Sequence, residues 1–192
     1  MIQRLYDWTL SLAEHRNALW VLALVAFLES SMFPIPPDIL MIPMIIARPS
    51  RAFVIAGVAL VASVLGGLMG YAIGALAFET LGQPILTALG KGDAMAEFAT
   101  RFNDMGFWAV LIAGITPFPY KVITIMSGWT AMPLGVFIAT SILARGLRFF
   151  LVALLLYKYG APVRDFIEKR LPLMFTLAVA LLIGGFFAIR LF

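Results

Sequence analysis

Residues 27–38 read Phe27-Leu28-Glu29-Ser30-Ser31-Met32-Phe33-Pro34-Ile35-Pro36-Pro37-Asp38, a proline cluster flanked by two carboxylates in the middle of an apolar stretch. That stretch runs from Ala18 to Ala47. Its unbroken arms, about 15 and 10 residues, would rise roughly 22 and 15 Å as helices, short of the about 30 Å of hydrocarbon in a bilayer. Proline removes backbone donors and stops a helix, so neither arm can borrow length from the other. Irregular backbone survives at membrane depth only where protein or a water-filled cavity covers it. The stretch therefore reads as a re-entrant hairpin: a helix in, a broken tip carried by Pro34, Pro36 and Pro37, and a helix out.

A second break repeats the first. Thr116-Pro117-Phe118-Pro119-Tyr120-Lys121 interrupts the apolar run Gly106 to Met132, with Pro117 and Pro119 at its tip. Pro34-x-Pro36-x-Asp38 and Pro117-x-Pro119-x-Lys121 share one spacing and end on opposite charges. Between them lie an uncharged run from Phe53 to Phe78, long enough to span, and a polar loop. The second hairpin then enters from the opposite face, which is the pattern of an inverted repeat around a midplane site.

The expected fold is an all-α polytopic membrane protein, an inverted repeat of two re-entrant helical hairpins, each followed by a transmembrane helix. Residues 1–17 place Ile2, Leu5, Trp8 and Leu12 on one stripe and read as an amphipathic interfacial helix. Residues 18–192 form a single membrane domain. Within it, 18–50 is the first hairpin, 52–78 a span, and 79–106 a polar loop with a second amphipathic surface helix at 93–105. The second hairpin follows at 107–132, a span at 133–157, and a C-terminal transmembrane helix at 171–191.

Composition supports the same medium. Of 192 residues, 62% are hydrophobic and 12% charged, against roughly 45–50% and 25% in soluble domains. A soluble globule of this length has too much surface to hide that apolar content. An ordinary cytosolic enzyme, a disordered regulator and a nucleic-acid module are thereby excluded. With no cysteines there are no disulfides or thiolate metal sites, and no metal or cofactor is expected. The hairpin topology puts Arg4, Arg16, Arg48, Arg51, Lys158, Arg164, Lys169 and Arg170 on one side. Only Lys91 and Arg101 fall in the central loop on the other. Eight basic residues against two obey the positive-inside rule, giving a multi-pass protein of the cell inner (plasma) membrane with a cytoplasmic N-terminus.

Five ionisable residues remain inside apolar segments: Glu29, Asp38, Lys121, Arg145 and Arg148. Each costs roughly 2.5–3.5 kcal/mol at a membrane-helix centre, too much in sum to carry without partners or water. In one reading they are structural salt bridges, the acids of the first hairpin locking bases elsewhere. The other reading starts from a subtraction. Two acids against three bases leave one positive charge, so a cavity holding them suits a phosphate-bearing ligand. Lys121, Arg145 and Arg148 would bind it. Glu29 and Asp38 would couple its movement to protons.

Other features are bland. Gly66, Gly70 and Gly74 form a close-packing stripe, not a nucleotide loop. Trp8, Trp20, Trp108 and Trp129 read as interfacial anchors. The single histidine, His15, lies in the interfacial segment, and no nucleophile, base and orienting group share one site, so the chain is not expected to be an enzyme.

The run Phe27 to Asp38 resembles the first signature of the DedA family, part of the VTT (SNARE-associated) group of membrane proteins. Gly114 to Lys121, together with Ala144-Arg145-Gly146-Leu147-Arg148-Phe149-Phe150, resembles the second, in the YqaA-like branch. The likeness covers roughly residues 20 to 160. It implies lipid translocation, flippase- or scramblase-like, in support of envelope integrity, with Glu29 and Asp38 as the functional acidic pair. The chain departs from the family at the second hairpin. Two arginines usually flank the proline there, whereas here Lys121 alone supplies basic charge and leaves Arg145 and Arg148 as guanidinium candidates. The expected partners are membrane lipids with a phosphate head group, and protons; no nucleic acid partner is expected, and homo-oligomerisation stays open. Transport of a small anionic solute and a structural scaffold with paired charges are the alternatives.

Overall fold

The computed structural model describes residues 17–32, 35–88, 92–116 and 119–189, with the backbone path alone for 94, 161 and 163–189. The interfacial segment 1–16 and two of the tip prolines, Pro34 and Pro117, lie outside the described residues. Every regular element among the described residues is helical.

Both apolar stretches break where their prolines stand. Helix α1 (Ala18–Ser31) and helix α2 (Asp38–Ala47) flank the first tip, with Pro37 as the residue preceding α2. A short 3-10 turn, Pro49–Arg51, leads into helix α3 (Ala52–Ala77). A π-turn at Phe78–Gly82 carries α3 into helix α4 (Gln83–Ala88). Helix α5 (Gly92–Asp104) is the amphipathic segment of the loop, and Asn103 fastens it by donating to the Thr130 carbonyl at 2.8 Å. Helices α6 (Gly106–Ile115) and α7 (Tyr120–Trp129) flank the second tip. Among the described residues, two helices are long and apolar enough to cross a membrane: Pro49–Ala88 and Leu134–Gly160.

Helix α8 (Leu134–Ile189) is two helical stretches joined at a kink, where Tyr159 leaves helical geometry (φ −125°, ψ 21°). Pro162 lacks the N–H that would reach the carbonyl of Lys158, and the kink falls beside that lost bond.

α3 and the first half of α8 run antiparallel as the central pair. Phe53 packs near Phe150 and Tyr157, Tyr71 near Phe137, and Ser63 meets Arg145 close to mid-length of both. The first arm of each hairpin lies on the long helix that follows it, α1 on α3 and α6 on α8. The second arm lies mainly on the other long helix, α7 on α3 and α2 on α8. Two apolar cores result. One gathers Leu22, Met41, Ile45, Ile55, Ala59 and Phe149; the other gathers Val110, Tyr120, Met132 and Phe137. Outside them the long helices present Val61, Leu65, Leu147 and Leu151 outward, more exposed apolar surface than water tolerates. Among the tryptophans, Trp20 and Trp108 face outward as anchors would, whereas Trp129 turns its ring edge-on to Phe78 at 5.4 Å.

The glycine stripe explains how two hairpin arms fit against one helix. A Cβ at Gly66 would strike the backbone of Phe27 in α1, and one at Gly74 the backbone of Ile125 in α7. At Gly70 it would meet both arms, the Ser30 carbonyl of α1 and the Thr124 side chain of α7. After α7 the chain turns through Ala131, whose φ of 50° is left-handed. Met132 N–H bonds the Ser127 carbonyl and Ala131 N–H the Gly128 carbonyl, the paired bonds of a Schellman cap. Tyr71 donates to the Met132 carbonyl at 2.6 Å and holds that turn against α3.

The stripe makes a measurable distinction between glycines. A methyl group placed on Gly57 would have nothing within 4 Å, so Gly57→Ala should gain about 0.5–1 kcal/mol through helix propensity. Gly74→Ala should lose about 1–3 kcal/mol or more through overpacking. Thermal unfolding in detergent micelles reads both; equal melting of the two variants contradicts the close approach.

Candidate functional site

Between the two apolar cores lies a polar layer drawn from both hairpins and the two long helices. Arg145, near the middle of α8, is 2% exposed and donates through Nη2 to Glu29 Oε2 of α1 at 2.6 Å. One helical turn on, Arg148 donates through Nη2 to Asp38 Oδ2, the first residue of α2, at 2.5 Å. Its Nη1 reaches the Thr116 carbonyl at the end of α6, 2.8 Å away. The i, i+3 spacing places both guanidinium groups on one face of α8. Asp38 also gains from the positive end of its own helix.

The Glu29–Arg145 pair belongs to a closed ring of hydrogen bonds. Arg145 Nε donates to Ser63 Oγ at 2.7 Å, and Ser30 Oγ donates to Glu29 Oε2 at 3.0 Å. Ser30 and Ser63 hydroxyls lie 2.7 Å apart. Since the proton of Ser30 is committed to the carboxylate, Ser63 is the donor between them. The guanidinium is also sandwiched, 4.8 Å from the Tyr120 ring and 4.6 Å from that of Phe149. Such stacking suits the flat, weakly hydrated arginine head. Tyr120 in turn donates to Ser141 at 2.6 Å.

Lys121 stands apart. It sits in the first turn of α7, partly buried, and donates to the Met32 carbonyl beyond α1 at 3.2 Å. Among the described residues it forms no ion pair. A cation in a helix's first turn faces the positive end of its own helix dipole, and here the carbonyl at the C-terminal end of α1 offsets it. A second crossing bond, Thr124 Oγ1 to the Ser30 carbonyl at 2.9 Å, joins the same two arms. The described ends of the two hairpins therefore meet each other.

The five residues that the sequence singles out, Glu29, Asp38, Lys121, Arg145 and Arg148, all lie in this layer. Both acids are engaged by arginines, the geometry of the salt-bridge reading, and the leftover positive charge is localised on Lys121. Of the tip prolines that are described, Pro37 is buried, Pro36 exposed and Pro119 half-buried. Sequence reasoning misses Ser63, Thr124 and the Tyr120 and Phe149 rings. Ser63 carries one usable signal, as a hydroxyl in an uncharged helix three residues ahead of Gly66 and in line with the stripe. Asp38 Oδ1 and Ser127 Oγ are buried without a hydrogen-bond partner among the described residues. Among the described residues no three His, Asp or Glu side chains gather as a metal site.

The VTT domain profile matches residues 33–158, the segment that holds both hairpin tips, both arginines and Lys121. The chain belongs to the VTT domain family. An uncharacterized protein of Haemophilus influenzae is 38% identical over 168 residues, covering 85% of this chain and 87% of its own. A homologue from Histophilus somni matches to the same extent. No solved structure matches the chain. The DedA resemblance seen in the two proline signatures is thus upheld at the level of the family. Together with the two long apolar helices, it makes this VTT domain protein a membrane protein.

The buried pair is open to a direct test. Glu29→Gln leaves the Arg145 charge buried without its counter-ion and should cost about 3–5 kcal/mol. Adding Arg145→Gln should recover most of that loss, whereas Lys121→Gln should stay within about 0.5 kcal/mol of wild type. Detergent-micelle melting of the three variants checks the order, and a Glu29→Gln protein as stable as wild type contradicts it.

Proposed function

We propose that the protein moves a phosphate-bearing lipid across the cell inner membrane, with the head group passing through the polar layer and the acyl chains remaining in the bilayer. One observation carries this reading: of three basic residues in the layer, Lys121 alone has no carboxylate, and it stands where the two hairpins meet. With both acids ionised the layer holds one uncompensated positive charge. A phosphate offers the matching anion to Lys121 as a point charge and to the arginines as a fork.

The acids give this site a way to exchange partners. Each carboxylate competes with phosphate for its arginine, and a proton on Glu29 or Asp38 removes the competitor. Carboxylate and phosphate are then alternative ligands of one guanidinium pair, and a proton taken up by the carboxylate favours the lipid, which is the basis of the proton coupling proposed. The Asp38–Arg148 pair, 18% and 20% exposed, is the more open of the two. The unpartnered Asp38 Oδ1 gives that carboxylate a reason to leave.

The inverted repeat belongs to the same proposal. The exchange of second arms between the long helices, α7 onto α3 and α2 onto α8, is the packing that two halves related by a two-fold axis would have. With α3 and α8 as spans, Ser63 and Arg145 fall near mid-depth. The basic residues at 48–51 and 158–170 then assign the cytoplasmic side.

A structural reading also has an observation in its favour: Arg145 is almost wholly enclosed and already paired. Liposomes containing the purified protein and fluorescently labelled glycerophospholipid or polyprenyl phosphate separate the two. Transport should fall about tenfold or more in Lys121→Gln, Glu29→Gln and Arg145→Ala, with Lys121→Gln keeping its wild-type melting temperature. Wild-type transport in Lys121→Gln and Arg145→Ala rejects the carrier reading. Anion uptake without movement of labelled lipid assigns the cavity to a small solute instead.

A further inference from the structure

A carboxylate meeting an arginine favours the side-on fork, two parallel bonds from Nε and Nη2. Glu29 does not get it. Arg145 gives Nη2 to the carboxylate but Nε to Ser63, and Glu29 Oε1 has no hydrogen bond among the described residues. The guanidinium stacks on the rings of Tyr120 and Phe149, which restrain it from tilting out of its plane. Ser30 and Ser63 are fully buried.

We propose that Ser63 is a positioning residue: by occupying Arg145 Nε it holds the Glu29–Arg145 pair to a single charge-assisted bond and keeps it exchangeable. The inference rests on the transport reading, because only a pair that must open gains from being kept weak. A lone structural salt bridge would be served better by the fork. Ser30 supports the arrangement. It takes the Ser63 proton and passes its own to Oε2, which fixes the direction of the whole ring. Without the Ser63 hydroxyl, the Nε–H loses its acceptor, and the Ser30 hydroxyl beside it is already donating to Glu29. The carboxylate already held at Nη2 is the acceptor best placed to satisfy it, and the fork closes.

The test follows the Arg145 Nε–H resonance of the full-length protein in lipid nanodiscs, with ¹⁵N-labelled arginine and assignment through Arg145→Lys. Ser63→Ala, and the near-isosteric Ser63→Cys with its weak acceptor, should move this resonance downfield as its partner changes from hydroxyl to carboxylate. Its exchange with solvent should slow about tenfold or more, as expected for one added charge-assisted bond. Glu29→Gln/Ser63→Ala should show neither change. In liposomes, Ser63→Ala should lower the maximal lipid transport rate about tenfold with little change in apparent affinity. The proposal is overturned if the resonance and its exchange rate stay as in wild type in both Ser63 variants, or if transport falls only in step with melting temperature. If wild-type protein moves no labelled lipid while the resonance shifts as expected, the transport reading fails and the assignment of Ser63 to the pair stands.

Discussion

Two ion pairs carry the architecture, because each joins an element that cannot span to one that can. α1 and α2 are too short to cross hydrocarbon. What ties them to the long helix α8 is Arg145 on Glu29 and Arg148 on Asp38. Arg148 closes the second hairpin as well, through the carbonyl of Thr116. Taking such charges out of water is costly, and attraction repays it only when the remaining donors are also satisfied. That condition explains the serines. Ser63 and Ser30 spend their hydroxyls on the guanidinium and the carboxylate, in a layer enclosed by apolar cores on both sides.

Much of this is legible in the sequence because proline and charge are local signals. Pro34, Pro36 and Pro37, then Pro117 and Pro119, each remove a backbone donor, and no neighbour can restore it. The gaps between α1 and α2 and between α6 and α7 therefore fall at the two proline clusters, whereas Pro43 is accommodated inside α2. Gly66, Gly70 and Gly74 signal close packing for a similar reason, since absence of a side chain is visible without knowing the partner. The five charges in apolar segments declare themselves through their cost.

The rest depends on three-dimensional pairing. No spacing rule tells whether Glu29 meets Arg145, Arg148 or Lys121, since the choice is made by where α1 and α2 land on α8. Ser63 lies more than thirty residues from Ser30 and more than eighty from Arg145, and a lone hydroxyl in an apolar helix has many innocuous uses.

Gly70 has a mechanical meaning. The Ser30 carbonyl and the Thr124 side chain press on the same bare spot of α3 and are bonded to each other above it. Neither arm can tilt there without displacing its neighbour, since no compressible side chain lies between them to absorb the motion. The two half-helices are geared together, and a disturbance reaching one arm is handed on to the other.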